Sequence, residues 1–117
     1  MNYNIVEKIN RYIEVKSPIT CEADALDIIG LCISNDIQLL ILRSEAITQE
    51  FINLKSGLAG MVLQKFMNYN IKVSAIIEDK NRINDRFAEL IYELNKGNNF
   101  RVFNNIDDAE SWILDTR

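Results

Sequence analysis

The sequence contains no histidine, and this absence removes the commonest general base and the commonest metal ligand in proteins. Nucleophilic pairs of the Ser–His and Cys–His type are therefore excluded within one chain. The two cysteines, Cys21 and Cys32, form no C-x-x-C motif and lack partners for a zinc site. These absences favour a protein that is not an enzyme, and we expect no catalytic residue, no metal and no cofactor.

Long apolar runs and an excess of basic residues are missing as well. The longest apolar run, Leu39–Leu42, is far shorter than the roughly 20 residues of a membrane span. The first residues, MNYN, show neither the basic nor the apolar region of a signal peptide. A net charge of −4 disfavours non-specific nucleic-acid binding. We therefore expect a cytoplasmic protein that binds neither membranes nor nucleic acid.

The length and the apolar fraction fit one globular domain over residues 1–117, because 48% of the 117 residues are hydrophobic. Alternating apolar and polar residues predict two strands, at residues 2–8 and 11–16, with a hairpin turn at Ile9 and Asn10. Ser17 and Pro18 then break the sheet.

A helix and a buried strand follow the hairpin. Thr20 is the predicted N-cap of a helix over residues 22–34. Residues 37–42 (IQLLIL) are nearly all apolar, which is typical of a strand covered on both faces and so of a parallel sheet. Residues 43–56 predict a loop, with a short helical turn over residues 49–54.

The second half of the chain alternates helices and strands. A helix from Gly57 closes at Asn70, which can adopt the left-handed conformation. The strongest helical stripe follows the N-cap Asn84, and Gly97 is predicted as its C′ glycine. Strands are predicted at residues 71–77 and 100–103. The predicted core comprises Phe66, Phe87, Leu90, Ile91, Trp112 and the even positions of residues 37–42, and Asn105 is predicted to cap a last helix.

The resulting order, β-β-α-β-α-β-α-β-α, predicts an α/β fold with a mixed, mainly parallel sheet of four to five strands and flanking helices. The strands at residues 37–42 and 71–77 are apolar runs joined through a helix. We therefore predict that the first of them is central and parallel to the second.

The helix start at residues 55–60 (KSGLAG) is the most informative candidate site. Ser56 fits an N-cap whose hydroxyl bonds an amide two or three residues on, and it is also a possible phosphorylation site. Lys55, Ser56, Gly57 and Gly60 form a hypothetical anion- or partner-binding site, since helix amides and a lysine attract anions. The rival interpretation is that both glycines let the helix approach the sheet closely.

Three other groups of residues offer weaker chemistry. Cys21 lies at a helix start, where a thiol pKa can fall, but Glu22 and Asp24 oppose this effect. The acidic residues 78, 79 and 85 can be a solvated loop or a cation site, and interleaved basic residues argue against the latter. Lys96 and Arg101 fit a turn better than a polar site.

Several segments resemble known families. The segments EADALDIIGLC, NLKSGLAG, LQKFMNYNIKVSAII and NKGNNFRVFNN resemble a bacterial family of domains of unknown function, number 4180, over nearly the whole chain. An apolar strand, a Ser-Gly-Leu helix start and the closing RVFNNIDDAESWIL also resemble STAS domains, the fold of anti-sigma-factor antagonists. The resemblance implies a STAS-like fold and a cytoplasmic setting.

The STAS resemblance also tests for a phosphorylation switch. In antagonist STAS domains the phosphorylated serine lies two places before the glycine that opens the helix. Aligned on Gly57, that position is Lys55, the family's aspartate position is Leu54, and Ser56 directly precedes the glycine. The resemblance therefore implies a STAS-like domain that lacks the phosphoacceptor.

We therefore predict a non-enzymatic regulatory or protein-interaction module that uses the surface of residues 45–60. The alternative is a small-molecule or anion-binding domain at the helix N-terminus of residues 55–60. An unknown protein partner and a small anion are the expected binding partners, and the protein is expected to be a monomer or a homodimer.

Overall fold

The computed structural model describes residues 1–8 and 10–115. The strands are β1 (Tyr3–Glu7), β2 (Arg11–Val15), β3 (Leu39–Leu42), β4 (Lys72–Ile76) and β5 (Phe100–Phe103). The helices are α1 (Glu22–Asn35), α2 (Gln49–Ile52), α3 (Leu58–Asn68), α4 (Asp85–Leu94) and α5 (Ile106–Ile113). The order agrees with the sequence prediction, and the short helical turn predicted over residues 49–54 is α2. Of the predicted hairpin turn, Ile9 lies outside the described residues.

The five strands form one mixed sheet in the order β1-β2-β3-β4-β5. Only β1 is antiparallel to its neighbour, while β3 is parallel to both β2 and β4. Leu40 of β3 pairs with Val73 of β4. The predicted central position of β3 and its parallel pairing with β4 are thus confirmed.

Helices cover both faces of the sheet, but unequally. Helices α1 to α4 bury one face, where the core includes Phe66 and Phe87 beside Leu40 and Leu42 of β3. Helix α5 alone packs on the other face, against Ile41 and Ile76 among others. Alternate β3 side chains therefore enter two different cores, which is why the β3 segment is an unbroken apolar run.

Polar contacts anchor α5 to its face of the sheet. The hydroxyl of the buried Ser74 on β4 donates to the carbonyl of Ala109, 2.9 Å away. The hydroxyl of Tyr12 on β2 donates to a carboxylate oxygen of Glu110 at 2.6 Å. Burial and this hydrogen bond both raise the pKa of Tyr12, so the phenol remains a donor across the physiological pH range.

The predicted start of α1 at residue 22 is confirmed, but the predicted N-cap, Thr20, is wrong by one residue. The N-cap is Cys21, which makes no side-chain capping bond, and Thr20 precedes it. Both the amide and the hydroxyl of Thr20 instead donate to the carboxylate of Asp24, at 2.9 and 3.0 Å. These donated bonds, the amide first, lower the pKa of Asp24. The carboxylate of Asp24 in the first turn thus reaches back to the residue before the N-cap, as the acidic member of a capping box does, and Thr20 acts as a donor to it.

Helices α3 and α4 terminate in different ways. Asn70 has a φ of +55°, as predicted for the residue that closes α3. Gly97, in contrast, is not a left-handed C′ residue, because α4 ends at Leu94 with Asn95 as its C-cap, and Gly57 is the positive-φ glycine of the described chain. The side chain of Asn95 bonds the backbone of Val102 on β5 and closes this turn instead.

The predicted core is confirmed for Phe66 and Phe87, which are buried. Leu90, Ile91 and Trp112 are only half-buried, so the predicted burial was too strong for these three. Among the even positions of the β3 segment, Leu40 and Leu42 are buried and Gln38 is exposed, because the strand begins at Leu39.

Candidate functional site

The start of α3 depends on the backbone of Gly57. This residue is the N-cap of α3 and has a φ of +77°, a conformation that L side chains rarely adopt. A Cβ atom built on Gly57 or Gly60 would meet no heavy atom within 4 Å. The prediction that these glycines let the helix approach the sheet closely is therefore wrong. Gly57 supplies a backbone angle, and Gly60 is exposed.

Ser56 accepts the backbone hydrogen bond that is expected of an N-cap residue, although it lies one position before the N-cap. Its hydroxyl oxygen accepts from the amide of Leu58 at 3.2 Å, although Gly57 is the N-cap. The same hydroxyl donates to the carbonyl of Glu50 in α2, 2.6 Å away. Ser56 thus joins the start of α3 to the preceding short helix.

This second bond sets the expected effect of substitutions at Ser56. We expect Ser56→Ala to lower the free energy of unfolding by about 0.5–2 kcal/mol, because both hydrogen bonds are lost. An ionised Ser56→Asp variant can accept from Leu58 but cannot donate to the Glu50 carbonyl, so it should be less stable than the wild type. Chemical denaturation of the three proteins measures this order, and wild-type stability in the aspartate variant would contradict the bond to Glu50.

Lys55 lies at a shallow cleft of about 500 Å³ between the 3₁₀ turn that precedes α3 and the start of α4. The cleft is lined by residues 53–55 and 84–86, so Arg86 is the second cation beside Lys55. In the described part of the chain, neither cation forms an ion pair within 4.0 Å. Asp85 adds one carboxylate. Of the four predicted site residues, only Lys55 lines this cleft, since Ser56, Gly57 and Gly60 lie outside it.

A second cavity, of about 510 Å³, lies at the carboxyl ends of β4 and β5. Its wall is mainly apolar and comes from β5, α4, the first turn of α5 and the segments that follow β4 and β5: Ile77, Lys80, Ile83, Ala88, Ile91, Val102, Phe103, Asn104 and Asp108. Here α4 covers one face of the sheet and α5 the other. Ligands of open α/β sheets bind beyond the carboxyl ends of the strands, where consecutive connections pass to opposite faces.

Fixed loops hold the rim of this cavity. The side chain of Asp79 accepts from the amide of Asn81 at 2.9 Å and so begins the 3₁₀ turn that carries Lys80. The guanidinium of Arg82 donates to the carbonyls of Ser44 and Ile47 in the loop after β3. The segment between β4 and α4 is therefore hydrogen-bonded to the loop after β3, and these bonds fix the rim of the cavity.

The acidic residues 78, 79 and 85, which the sequence left open as a solvated loop or a cation site, make three different kinds of contact. Asp79 caps a turn, Glu78 accepts from the hydroxyl of Ser44 at 3.2 Å, and Asp85 lies at the other cleft. The three carboxylates therefore have separate roles. Across residues 1–8 and 10–115, no cluster of three or more Asp, Glu, Cys or His side chains is arranged to hold a metal ion.

The polar groups of the cavity are few and of both charges. Lys80 contributes an ammonium group and Asp108 a carboxylate, which accepts from the side-chain amide of Asn105 at 3.0 Å. Within the described residues, Lys80 and Asp108 form no ion pair. The lining contains no Ser, Thr, Cys or Tyr to act as a nucleophile. The arrangement can bind an organic molecule with an apolar body.

Sequence reasoning missed this cavity because its wall combines residues from α4, α5, β5 and two connecting segments. The α4 stripe is the part of the wall that the sequence pattern did show, since Ile91 of that stripe is half-buried and lines the cavity. The turn assigned to Arg101 is confirmed, since its guanidinium donates to the carbonyl of Gly97 and to Asn98. Cys21 is exposed, and Cys32 is buried with its thiol pKa raised to about 11 by burial.

Residues 6–113 match the model of the family described as domain of unknown function DUF4180. No curated protein and no solved structure matches the chain. None of the helices in the described residues is long and apolar enough to cross a membrane.

Proposed function

The chain belongs to the DUF4180 family, and we propose that it is a non-enzymatic regulatory domain that binds a small organic ligand. The description of the family names no activity. The observation that carries this proposal is the apolar cavity of about 510 Å³ at the carboxyl ends of β4 and β5. Concave, mostly apolar cavities with a few polar groups are the usual form of small-molecule sites.

The cavity defines the chemistry of its ligand. Ile83, Ile91 and Val102 offer an apolar wall, and the volume is within the roughly 300–1,000 Å³ of ligand pockets. Lys80 and Asp108 provide one cation and one anion on the lining. We therefore propose a compact, mainly apolar molecule with a polar or charged end group.

The surface of residues 45–60 supports protein docking less well. The large exposed apolar residues of the described chain all lie elsewhere: Met1, Tyr3, Ile5, Leu26, Ile33, Met67, Tyr69 and Tyr92. Binding energy at protein interfaces is concentrated in buried aromatic and arginine anchors, and this surface offers no large apolar anchor. We nevertheless propose a cytoplasmic protein partner, which would bind the domain differently when the ligand is present.

The relationship to STAS domains is also part of the proposal. It is supported by the resemblance at residues 55–60 and by the order of helices and strands. Lys55 occupies the position of the phosphoacceptor, and the hydroxyl of Ser56 is engaged with Leu58 and Glu50. We therefore propose regulation by ligand binding in place of regulation by phosphorylation.

A second candidate function is anion binding at the cleft that contains Lys55 and Arg86. The supporting observation is that two cations line one cleft and have no acidic partner within 4.0 Å in the described residues. Asp85 in the same lining weakens the attraction for anions. This site would take a phosphate or carboxylate group.

A thermal-shift screen with matched variants tests the cavity. A ligand of the native state at a hundredfold excess over its Kd should raise the unfolding midpoint by on the order of 10 °C. Ala88→Trp should fill the cavity and abolish that shift. Glu89→Trp is the control, because it places the same side chain on the neighbouring exposed position of α4, outside the cavity lining.

The outcomes separate the two candidates. A shift that disappears in Ala88→Trp and persists in Glu89→Trp supports the cavity. A shift with inorganic phosphate that disappears in a Lys55→Gln, Arg86→Gln double variant supports the cleft. A screen of apolar acids, amines and zwitterions that produces no shift sensitive to Ala88→Trp would refute the proposed function.

A further inference from the structure

The two edge strands of the sheet, β1 and β5, differ in whether their outward backbone groups are hydrogen-bonded. At the β5 edge, the amide of Val102 donates to the side-chain oxygen of Asn95 at 2.8 Å, and the side-chain nitrogen of Asn95 donates back to the Val102 carbonyl at 3.1 Å. Asn95 thereby satisfies the donor and the acceptor that Val102 directs away from β4. This edge is closed to a further strand at that residue.

At the β1 edge, hydrogen bonds show which backbone groups point outward. The amide of Lys16 donates to the carbonyl of Asn2, and the amide of Lys8 donates to that of Asn10. In an antiparallel ladder, bonded pairs recur at every second residue, so Asn4 and Val6 also bond to β2. Tyr3, Ile5 and Glu7 therefore direct their backbone N–H and C=O groups away from the sheet.

Two devices that prevent strand addition, a proline and a bulge, are absent from β1. β1 contains no proline, and its register with β2 continues unbroken from Tyr3 to Glu7. In the described chain, no side chain is bonded to the outward groups of Tyr3, Ile5 or Glu7. Tyr3 and Ile5 are each 39% exposed, so an apolar strip accompanies the outward backbone groups.

We propose that β1 pairs antiparallel with β1 of a second copy of this chain, about a two-fold axis at Ile5. In this register Ile5 lies opposite the partner subunit's Ile5, and Tyr3 lies opposite the partner subunit's Glu7. Every outward residue of one strand then meets an outward residue of the other. The two five-stranded sheets become one continuous sheet of ten strands.

Charge and register select a second copy as the occupant. Centring the axis on Glu7 would place two carboxylates opposite each other, which is unfavourable. Centring it on Ile5 places Glu7 opposite tyrosine and Lys8 opposite asparagine, so no like charges face each other. The strand is therefore self-complementary over its full length in one register, as an isologous interface requires.

The expected affinity is moderate. A pair of five-residue strands buries less than the roughly 1,200 Å² of a standard stable interface. We therefore expect a dimer dissociation constant of about 1–100 µM. This proposal is independent of the ligand cavity, which lies at the opposite edge of the sheet.

Sedimentation of the full chain from about 1 to 300 µM spans this range and tests the interface. The wild type should change from monomer to dimer. Ile5→Pro should remain monomeric, because it removes an outward N–H that the monomer does not use. Ile5→Lys should also be monomeric, since the pairing would place two lysines opposite each other. Leu26→Lys is the control, because Leu26 on α1 is similarly exposed, at 42%, and should still dimerise.

Hydrogen exchange identifies the strand directly. The amides of Tyr3, Ile5 and Glu7 should become protected as the protein concentration rises, while those of other exposed segments should not. If Ile5→Pro fails to fold, Ile5→Lys decides the test. A wild type that stays monomeric at about 300 µM, or a dimer that survives Ile5→Lys, would overturn the proposal.

Discussion

Phe87→Ala is expected to lower the free energy of unfolding by about 3–5 kcal/mol, because it removes an aromatic ring from the centre of the larger core. Phe87 is 1% exposed. Its ring meets the ring of Phe51 edge to face, with centroids 6.1 Å apart, and Phe51 stacks on Phe100 at 6.5 Å. The substitution therefore leaves a cavity where α2, α4 and β5 meet.

Urea denaturation with a matched control measures this effect. Tyr92→Ala also removes an aromatic ring from α4, but Tyr92 is 67% exposed, so its loss should change stability by no more than about 0.5 kcal/mol. A loss below about 1 kcal/mol for Phe87→Ala would contradict the burial of the ring, because the transfer of a phenylalanine side chain from water is alone worth about 1.5–3 kcal/mol.

Glu14→Ala is expected to lower the free energy of unfolding by about 2–3 kcal/mol, because Glu14 is the acidic partner of a largely buried arginine. Glu14 on β2 lies 3.5 Å from the guanidinium of Arg43, directly after β3. The two side chains are 13% and 24% exposed. Among the described residues, the Nε atom of Arg43 is buried without a hydrogen-bond partner. The expected loss is below the roughly 3–5 kcal/mol of a fully buried pair because solvent reaches both groups.

A double-mutant cycle of Glu14→Leu, Arg43→Met and the combined variant tests whether the loss comes from the unpaired charge. The combined variant should regain most of the stability that either single variant loses, since no unpaired charge remains. The surface pair of Glu93 and Lys96 is the control, and Glu93→Ala should cost no more than about 0.5 kcal/mol. Additive losses in the double variant would contradict the coupling between Glu14 and Arg43.

The sequence by itself determined the order of strands and helices and the parallel pairing at the centre of the sheet. These features follow from patterns that lie within single segments. The apolar run of β3 requires cover on both faces, and the stripe that contains Phe87 requires a helix with one buried side. The N-caps Asn84 and Asn105 also followed from the sequence, and in the structure each asparagine side chain accepts from an amide three residues later.

Only the tertiary structure decided what these elements form together. The cavity depends on the placement of α4 and α5 on opposite faces, and residues far apart in the chain build its wall. The bond from Ser56 to Glu50 and the closure of the β5 edge by Asn95 depend on how neighbouring segments meet. Local periodicity fixes which side of a segment is apolar, whereas the partner of a polar side chain and the space left between two helices are fixed by three-dimensional packing.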